Sequence, residues 1–226
     1  MVFGKPYHKS HFSICLDGKP IHRTYKTKFL DVWTDSKLSW SDHINAISIA
    51  VSRSVGILSK LKHFLPRSVL RCIYLSLILP HFTYCLVVWS GTSKCNLNKL
   101  VLLQKKAIRH VTGSTWHAHT SPLFSSLKLL KLHDLVNLSI SCFIYRCQNF
   151  NVPQKFKDFY IRNTQIHDYS TRQCSNLRPF PFQHHSQKSL RYRLVNVWNS
   201  LPLKSQIFPT IASFKNYLKR YFLSSY

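Results

Sequence analysis

Acidic side chains are scarce in this sequence. Glutamate is absent from the 226-residue chain, which contains seven aspartates and no two adjacent acidic residues. Two-carboxylate glycosidase sites, Mg²⁺ clusters and EF-hand loops need several carboxylates held together, so these functions are disfavoured. Lysine and arginine number 32, which gives a formal net charge of +25. Such an excess predicts a polyanionic partner, either nucleic acid or an anionic membrane surface.

Closely spaced cysteine pairs are also missing. The seven cysteines include no Cys-x-x-Cys pair. Zinc sites use tighter ligand pairs than Cys142 with Cys147, or Cys174 with His184 and His185, so no metal site is predicted. The odd number and wide spacing are typical of reduced thiols in an intracellular protein, in the cytoplasm or the nucleus. The first residues lack the apolar segment of a signal peptide, so secretion is not expected.

One long segment lacks charge altogether. Residues 72–93 contain no lysine, arginine or aspartate, and a run of this length can span a bilayer. Pro80 lies near its middle, where proline removes a hydrogen-bond donor and interrupts a helix. Two buried helices separated at Pro80 explain the run equally well, so both interpretations stay open at this point.

Hydrophobic periodicity separates a short β part from a longer helical part. Alternation in residues 12–16, followed by Asp17-Gly18, predicts a β-hairpin. From Ser41, the proposed N-cap, apolar residues recur every three or four positions, which predicts helices. The predicted helices cover residues 42–63, 66–79, 97–111, 132–148, 154–160 and 210–223, and the predicted loop covers residues 91–96.

These patterns predict a mainly α fold with a small N-terminal β-hairpin. Residues 1–40 form the β part, and residues 41–149 form a helical bundle. Residues 150–226 form a loop-rich basic region that ends in an amphipathic helix, because prolines and polar residues interrupt the earlier periodicity.

Basic side chains cover one face of the predicted helix 97–111. A face of this kind either binds a phosphate backbone or is simply solvated. We favour nucleic acid, because few acidic residues offset the charge. The predicted nucleic-acid-binding residues are Lys60, Lys62, Lys99, Lys105, Lys106, Arg109, Arg191, Arg193, Lys215 and Lys219.

The tryptophans have two possible roles, stacking on bases or packing in the core. Trp40, Trp89 and Trp198 lie among apolar neighbours in the sequence, so we expect them in the core. Residues 191–193 (RYR) are a better candidate for an exposed contact between an aromatic ring, basic groups and nucleic acid.

A series of short motifs then narrows the prediction. Residues 29–44 (FLDVWTDSKLSWSDHI) follow the pattern FLGV-x-x-D-x-x-L-x-W-x-x-H-I. Further motifs follow in order: GIL at 56–58, LKHFLP at 61–66, PHFTYC at 80–85, VWSG at 88–91, LQKKAIR at 103–109, YSTR at 169–172, WNSLP at 198–202 and SFKNYLK at 213–219. Together they resemble LINE-type (non-LTR) retrotransposon reverse transcriptases, especially the jockey and chicken-repeat groups, in the part that follows the polymerase palm.

The resemblance implies a C-terminal portion of an RNA-directed DNA polymerase. Residues 1–40 would be the end of the palm, residues 41–149 a helical thumb and residues 150–226 the C-terminal region. The family's catalytic aromatic-Ala-Asp-Asp turn, whose aspartates bind Mg²⁺, has no counterpart here and is expected before Met1. We therefore expect no catalytic residue, metal or cofactor in this chain alone and no polymerase activity, with Mg²⁺ needed only by the full-length polymerase. Asp31 stands where the family has glycine, which adds a side chain at that position.

The expected partners also follow from the resemblance. They are an RNA template or a DNA–RNA hybrid and the missing N-terminal polymerase domains, and no membrane is expected. Two alternatives remain at this stage. The chain is either a non-catalytic basic RNA- or DNA-binding protein derived from such an element, or a membrane protein that spans the bilayer at residues 72–93.

Overall fold

The computed structural model describes residues 1, 3, 14–150, 152–157, 160–166, 176–178 and 189–226. They form four short strands and a larger set of helices, which confirms the predicted mainly α fold with a small β part. The strands are β1 (Ile14–Leu16), β2 (Lys19–Ile21), β3 (Lys26–Phe29) and β4 (Val32–Asp35). The helices are α1 (Ser41–Leu61), α2 (Arg67–Ile73), α3 (Leu79–Thr83), α4 (Leu86–Trp89), α5 (Lys94–Thr112), α6 (Thr120–Leu127), α7 (Leu132–Asn149), α8 (Gln154–Lys157), α9 (Leu190–Asn199) and α10 (Ile211–Leu223).

The strands pair as two antiparallel hairpins, β1 with β2 and β3 with β4. Each hairpin closes with a two-residue turn in which both φ angles are positive, at Asp17 (49°) and Gly18 (74°) and at Leu30 (45°) and Asp31 (63°). Turns of this kind match the right-handed twist of the strands they join. The hairpin predicted around Asp17-Gly18 is confirmed, and residues 12 and 13 lie outside the described residues.

A carboxylate shapes the turn that leads into the first long helix. Asp35, at the end of β4, accepts hydrogen bonds from the backbone N–H groups of Ser39 (3.1 Å) and Trp40 (3.0 Å). Burial raises the pKa of Asp35, but these hydrogen bonds outweigh burial and the net pKa is lowered. Trp40 takes a positive φ of 62°, and α1 begins at Ser41, one residue earlier than predicted.

The two longest helices, α1 and α5, pack side by side. Near their first turns the Asn96 side-chain amide donates to the Ser41 hydroxyl (3.1 Å) and to the Thr92 hydroxyl (3.0 Å). Near their last turns the charge of Lys62 acts on His110. Both helices therefore run in the same direction. Helix α5 begins at Lys94, so the predicted loop over 91–96 is wrong for its last three residues.

The uncharged stretch at 72–93 is broken into several short pieces. Helix α2 continues into a π-helical turn at Tyr74–Ile78 and then α3, after which Tyr84 is extended and Cys85 has a positive φ of 48°. One side chain per turn is fully buried in the core, namely Tyr74, Ile78, Phe82, Leu86 and Trp89. One side of the stretch therefore packs in the core, and in the structure residues 72–93 do not form a single continuous helix.

Helix α1 is the one described helix that is long and apolar enough to cross a membrane by length and composition alone. Of its most apolar window, 33% is buried inside the bundle. The buried side chains include Ile44, Ile47, Val51, Val55 and Leu58, which are the stripe that predicted the helix.

A polar side chain lies at the centre of the bundle. The Gln104 amide donates to the Tyr74 hydroxyl and to the Leu130 carbonyl, both at 3.0 Å, and its oxygen accepts from the Leu132 N–H at 2.8 Å. Burial raises the pKa of the Tyr74 phenol to about 12, although the hydrogen bond from Gln104 lowers it. Gln104 thereby ties α5 to the segment before α7.

The C-terminal helices share the same core. Tyr145 of α7 stacks on Phe214 of α10, with ring centroids 4.7 Å apart, and Trp198 of α9 lies 6.1 Å from the same ring. The cluster of buried apolar side chains is continuous from Ile44 to Phe222. Neither α6 nor α9 was predicted from the sequence. The predicted helix at 154–160 is observed at α8, Tyr160 is not helical, and residues 158 and 159 lie outside the described residues.

Candidate nucleic-acid interface

Helix α5 carries its basic side chains on an outer face because its inner face is uncharged and mostly apolar. Its termini are fixed by Ser93, whose hydroxyl accepts from the Asn96 N–H (3.3 Å), and by Gly113, whose φ of 68° closes the predicted C-cap. The buried residues are Asn96, Leu100, Gln104, Ala107, Ile108 and Val111. The opposite side therefore faces outward.

Three cations share that outer side. Lys99, Lys106 and Arg109 are separated by seven and three positions, a spacing that places them on one helix face. Lys99 and Lys106 are exposed and Arg109 is half-buried. We call these three residues the α5 basic face.

An exposed tryptophan lies against this face. Trp116, in the turn after α5, is 62% exposed. The Lys106 Nζ atom and the Arg109 Cζ atom each lie 5.7 Å from the centre of its ring, within the range of a cation–π interaction. The Arg109 guanidinium also donates to the Ala118 carbonyl (3.1 and 3.3 Å), which fixes it beside the ring.

A surface cavity of about 440 Å³ lies between this face and α1. Its lining combines Trp116 and the α5 basic face with apolar side chains of α5 and with Asn45 and Ser48 of α1. None of the described residues that line it is acidic. The cavity therefore offers positive charge, an aromatic surface and a few polar groups to an anionic ligand.

The electrostatics of His110 show how closely the cations gather at the ends of α1 and α5. Burial lowers the pKa of His110, and the positive charges of Lys62 and Lys106 lower it further. Lys62 follows the last residue of α1, and Lys60 is exposed in its last turn. Lys60 and Lys62 thus belong to the same end of the molecule as the second half of the α5 basic face.

The other predicted residues lie elsewhere. Lys105 is about 100° round the helix from Lys106 and is half-buried. Lys215 of α10 is exposed. Burial raises the pKa of the Cys142 thiol, and the positive charges of Lys215 and Arg146 lower it in part. Lys219 follows one turn later and is half-buried. Lys215 and Lys219 thus form a second basic group, on α10.

Arg193 points into the bundle and contacts protein groups. Its guanidinium donates to the Ser90 hydroxyl (2.7 Å) and to the Val87 carbonyl (3.1 Å), and burial lowers its pKa to about 10. It ties α9 to α4. The prediction that residues 191–193 form an exposed contact with nucleic acid is therefore wrong for Arg193, which has a packing role. Arg191 is half-buried.

The three tryptophans expected in the core are found there, and a fourth tryptophan, Trp116, lies at the surface. Trp89 and Trp198 are fully buried and Trp40 packs half-buried against the core, which confirms the core assignment. Trp116 was not predicted from the sequence. The available signal was its position just after the Gly113 cap of a basic helix, in a polar segment of the sequence.

No three histidine, cysteine or aspartate side chains within the described ranges are placed to hold a metal ion. Cys142 and Cys147 are free, and burial raises the pKa of both thiols. Cys174, His184 and His185 lie outside the described residues, as does the YSTR motif at 169–172.

Comparison with known proteins points to the polymerases of mobile elements. The chain is 33% identical over 126 residues to the RNA-directed DNA polymerase from mobile element jockey of Drosophila melanogaster, and 25% identical over 136 residues to its namesake in Drosophila funebris. It is 24% identical over 132 residues to the probable RNA-directed DNA polymerase from transposon X-element of Drosophila melanogaster. These matches confirm the resemblance to non-LTR retrotransposon polymerases.

The matches cover part of each protein. They include 54% of this chain for both jockey polymerases and 55% for the X-element polymerase, and the chain spans only 14% of the length of each relative. No family model matches the chain, and no solved structure matches it.

Proposed function

We propose that this chain is the part of a non-LTR retrotransposon RNA-directed DNA polymerase that holds the RNA template or DNA–RNA hybrid and does not itself perform the chemistry. The observation that carries this proposal is the α5 basic face, set beside a cavity whose described lining includes no acidic residue. Phosphate contacts of this kind give affinity without sequence preference. They would keep the hybrid aligned for catalysis supplied by other parts of the polymerase.

The aspartates among the described residues do not fit a catalytic Mg²⁺ site. The two closest in sequence, Asp31 and Asp35, are already engaged, Asp31 with Lys28 (2.5 Å) and Asp35 with the Ser39 and Trp40 N–H groups. A two-metal site needs several carboxylates around one point. We therefore route no step of the reaction through a metal held by this chain, and propose that it binds without catalysing.

Binding is tested with a short blunt-ended DNA–RNA hybrid, by fluorescence anisotropy over a range of salt concentrations. The double variant Lys99→Gln/Lys106→Gln removes two charges from the α5 basic face. We expect the slope of log affinity against log salt to fall by about 1 for each phosphate that the variant no longer binds.

A matched control removes the same charge elsewhere. Lys155 and Lys157 are exposed on α8, and Lys155→Gln/Lys157→Gln should leave the slope nearly unchanged. An equal effect of both double variants would mean that only net charge matters, and would overturn the assignment to α5.

The absence of catalysis is tested separately. The purified chain, given Mg²⁺, deoxynucleotides and a primed RNA template, is expected to leave the primer unextended. Extension that resists removal of contaminating polymerase would overturn this part of the proposal without affecting the binding part.

A further inference from the structure

Trp116 is not part of the buried core or of the side chains that pack against it. It is 62% exposed in a turn, whereas Trp89 and Trp198 are buried. A single exposed ring is common on protein surfaces, but Trp116 also lies beside a cavity that is lined by Lys99, Lys106 and Arg109. The remaining sides of the cavity belong to α5 and α1, so the ring faces positive, polar and apolar side chains together.

The surroundings of the ring are arranged in advance of any ligand. Arg109 is held by the Ala118 carbonyl and lies, with Lys106, 5.7 Å from the centre of the ring. Exposed aromatic rings flanked by cations are how proteins bind single-stranded nucleic acid, because a base stacks on the ring while the cations hold its phosphates. The charge and the aromatic surface thus match one and the same ligand.

The interior of a paired duplex offers no free base face to such a ring. Its bases are stacked on one another, and only its phosphates and groove edges reach a protein surface. The α5 basic face alone would serve a duplex. The presence of Trp116 within that face therefore points to an unpaired nucleotide.

We propose that the cavity at Trp116 binds an unpaired nucleotide at the end of the hybrid, with its base stacked on Trp116 and its phosphate held by Lys106 and Lys99. This deepens the proposed function and rests on it for the binding of the adjoining hybrid. Asn45 and Ser48 lie on the α1 side of the cavity, where the edge of a base can reach them. The Ser48 hydroxyl has no hydrogen-bond partner among the described residues, and its bond to Cβ can rotate.

The test compares two ligands, a blunt DNA–RNA hybrid and the same hybrid with a short single-stranded overhang. For the unmodified chain we expect the overhang to tighten binding about tenfold, within the range for one stacked base. Trp116→Ala should abolish that gain and leave blunt-hybrid affinity within about twofold, whereas Trp116→Phe should keep most of it, since a smaller ring still stacks. RNA and DNA overhangs are compared to see which sugar is accepted.

A second exposed aromatic residue serves as the matched control. Tyr25 is 68% exposed and has its own arginine neighbour, with Arg23 Cζ 5.6 Å from the ring centre. Tyr25→Ala should leave the overhang gain intact. An equal loss in Tyr25→Ala and Trp116→Ala would overturn the assignment of the base to Trp116.

The two proposals fail in distinguishable ways. The unpaired-nucleotide site is wrong if the unmodified chain binds the blunt hybrid in a salt-dependent manner but gains no affinity from an overhang. It is also wrong if Trp116→Ala keeps that gain. In both cases the proposal that the α5 basic face binds the hybrid is unaffected. If the blunt hybrid does not bind but the hybrid with an overhang does, the proposed binding of the hybrid is wrong and the unpaired-nucleotide site is supported. If neither ligand binds, both proposals are wrong.

Discussion

The Tyr226 hydroxyl donates a 2.5 Å hydrogen bond to the carboxylate of Asp134 in the first turn of α7. The same hydroxyl accepts from the Lys131 N–H at 2.8 Å, and the Lys131 ammonium lies 4.0 Å from the centre of the Tyr226 ring. Three groups at the start of α7 therefore hold the segment that follows α10. Burial, and then the hydrogen bond to Asp134, raises the pKa of Tyr226 far above its ordinary value.

Removing this hydroxyl should weaken the fold. We expect Tyr226→Phe to lower the free energy of unfolding by about 1–3 kcal/mol, because it leaves the Asp134 carboxylate and the Lys131 N–H without this partner. A raised folded-state pKa means that stability is lost as pH rises above the ordinary tyrosine value of 10, so the variant should lose less stability there. Urea unfolding measures both effects. Tyr221→Phe, at an exposed position of α10, is the control and should change little.

The buried amide of Gln104 should be among the most sensitive polar positions. Gln104→Leu leaves the Leu132 N–H and the Leu130 carbonyl unpaired in the core, so we expect a loss of at least about 2 kcal/mol in unfolding free energy. Gln148→Leu is the matched control, because the Gln148 amide nitrogen has no partner among the described residues. Similar losses in the two variants would contradict the assigned network.

A substitution of Arg193 can test whether this side chain packs in the fold or binds nucleic acid. We expect Arg193→Ala to destabilise the fold by about 1–3 kcal/mol, since it removes hydrogen bonds that join α9 to Ser90 and Val87. The salt slope of hybrid binding should not change, because the guanidinium is engaged by protein groups inside the bundle. A slope that falls by about 1, the change expected when one phosphate is released, would show that this assignment is wrong.

Acid sensitivity should depend on His43. This side chain is 5% exposed, and neither ring nitrogen has a partner among the described residues. Burial lowers its pKa more than the nearby Asp31 charge raises it. Below the ordinary value of 6.5 the unfolded chain takes up a proton that the folded chain does not, so stability falls with pH.

Replacing the His43 imidazole should therefore reduce the loss of stability at acid pH. We expect His43→Phe to lose no stability near neutral pH and to show a smaller drop in melting temperature from about pH 7 to about pH 5. His133→Phe changes an exposed histidine of α7 and should keep the original drop. A destabilised His43→Phe at neutral pH would mean that the imidazole has a structural partner.

The turn at Asp31 provides a backbone test. Asp31 has a φ of 63°, a conformation that glycine adopts without strain and other residues at a cost of roughly 1–2 kcal/mol. Asp31→Gly and Asp31→Ala both remove the exposed pair with Lys28, but only glycine relieves the backbone. We expect amides of the β3–β4 hairpin to exchange more slowly with solvent in the glycine variant than in the alanine variant.

The sequence predicts elements whose pattern is local and long. Helices α1 and α5 were found because their apolar stripes continue for several turns and Gly113 marks an end. Helix α6 was missed because it has only two turns and a serine-rich sequence. Helix α9 was missed because it is short and only Leu194, Val195 and Trp198 are buried, which leaves a brief apolar pattern.

In the candidate site, too, the local features could be predicted from the sequence and the long-range contacts could not. The α5 basic face follows from helical spacing alone. The roles of Arg193 and Trp116 do not, since Arg193 bonds to residues 103 and 106 positions away, and the exposure of Trp116 depends on how the turn after α5 is packed. Contacts so distant in sequence leave no local pattern.

The parallel pairing of α1 and α5 has an electrostatic consequence. Each long helix carries a partial negative charge of about one half at its C-terminal end, and here both ends lie together. Lys60, Lys62 and Arg109 lie at these two ends. The aligned peptide dipoles therefore partly neutralise a group of cations that has few carboxylates to do so. A phosphate arriving at this corner would take over part of that compensation, so the free protein holds its cations in place without an anion.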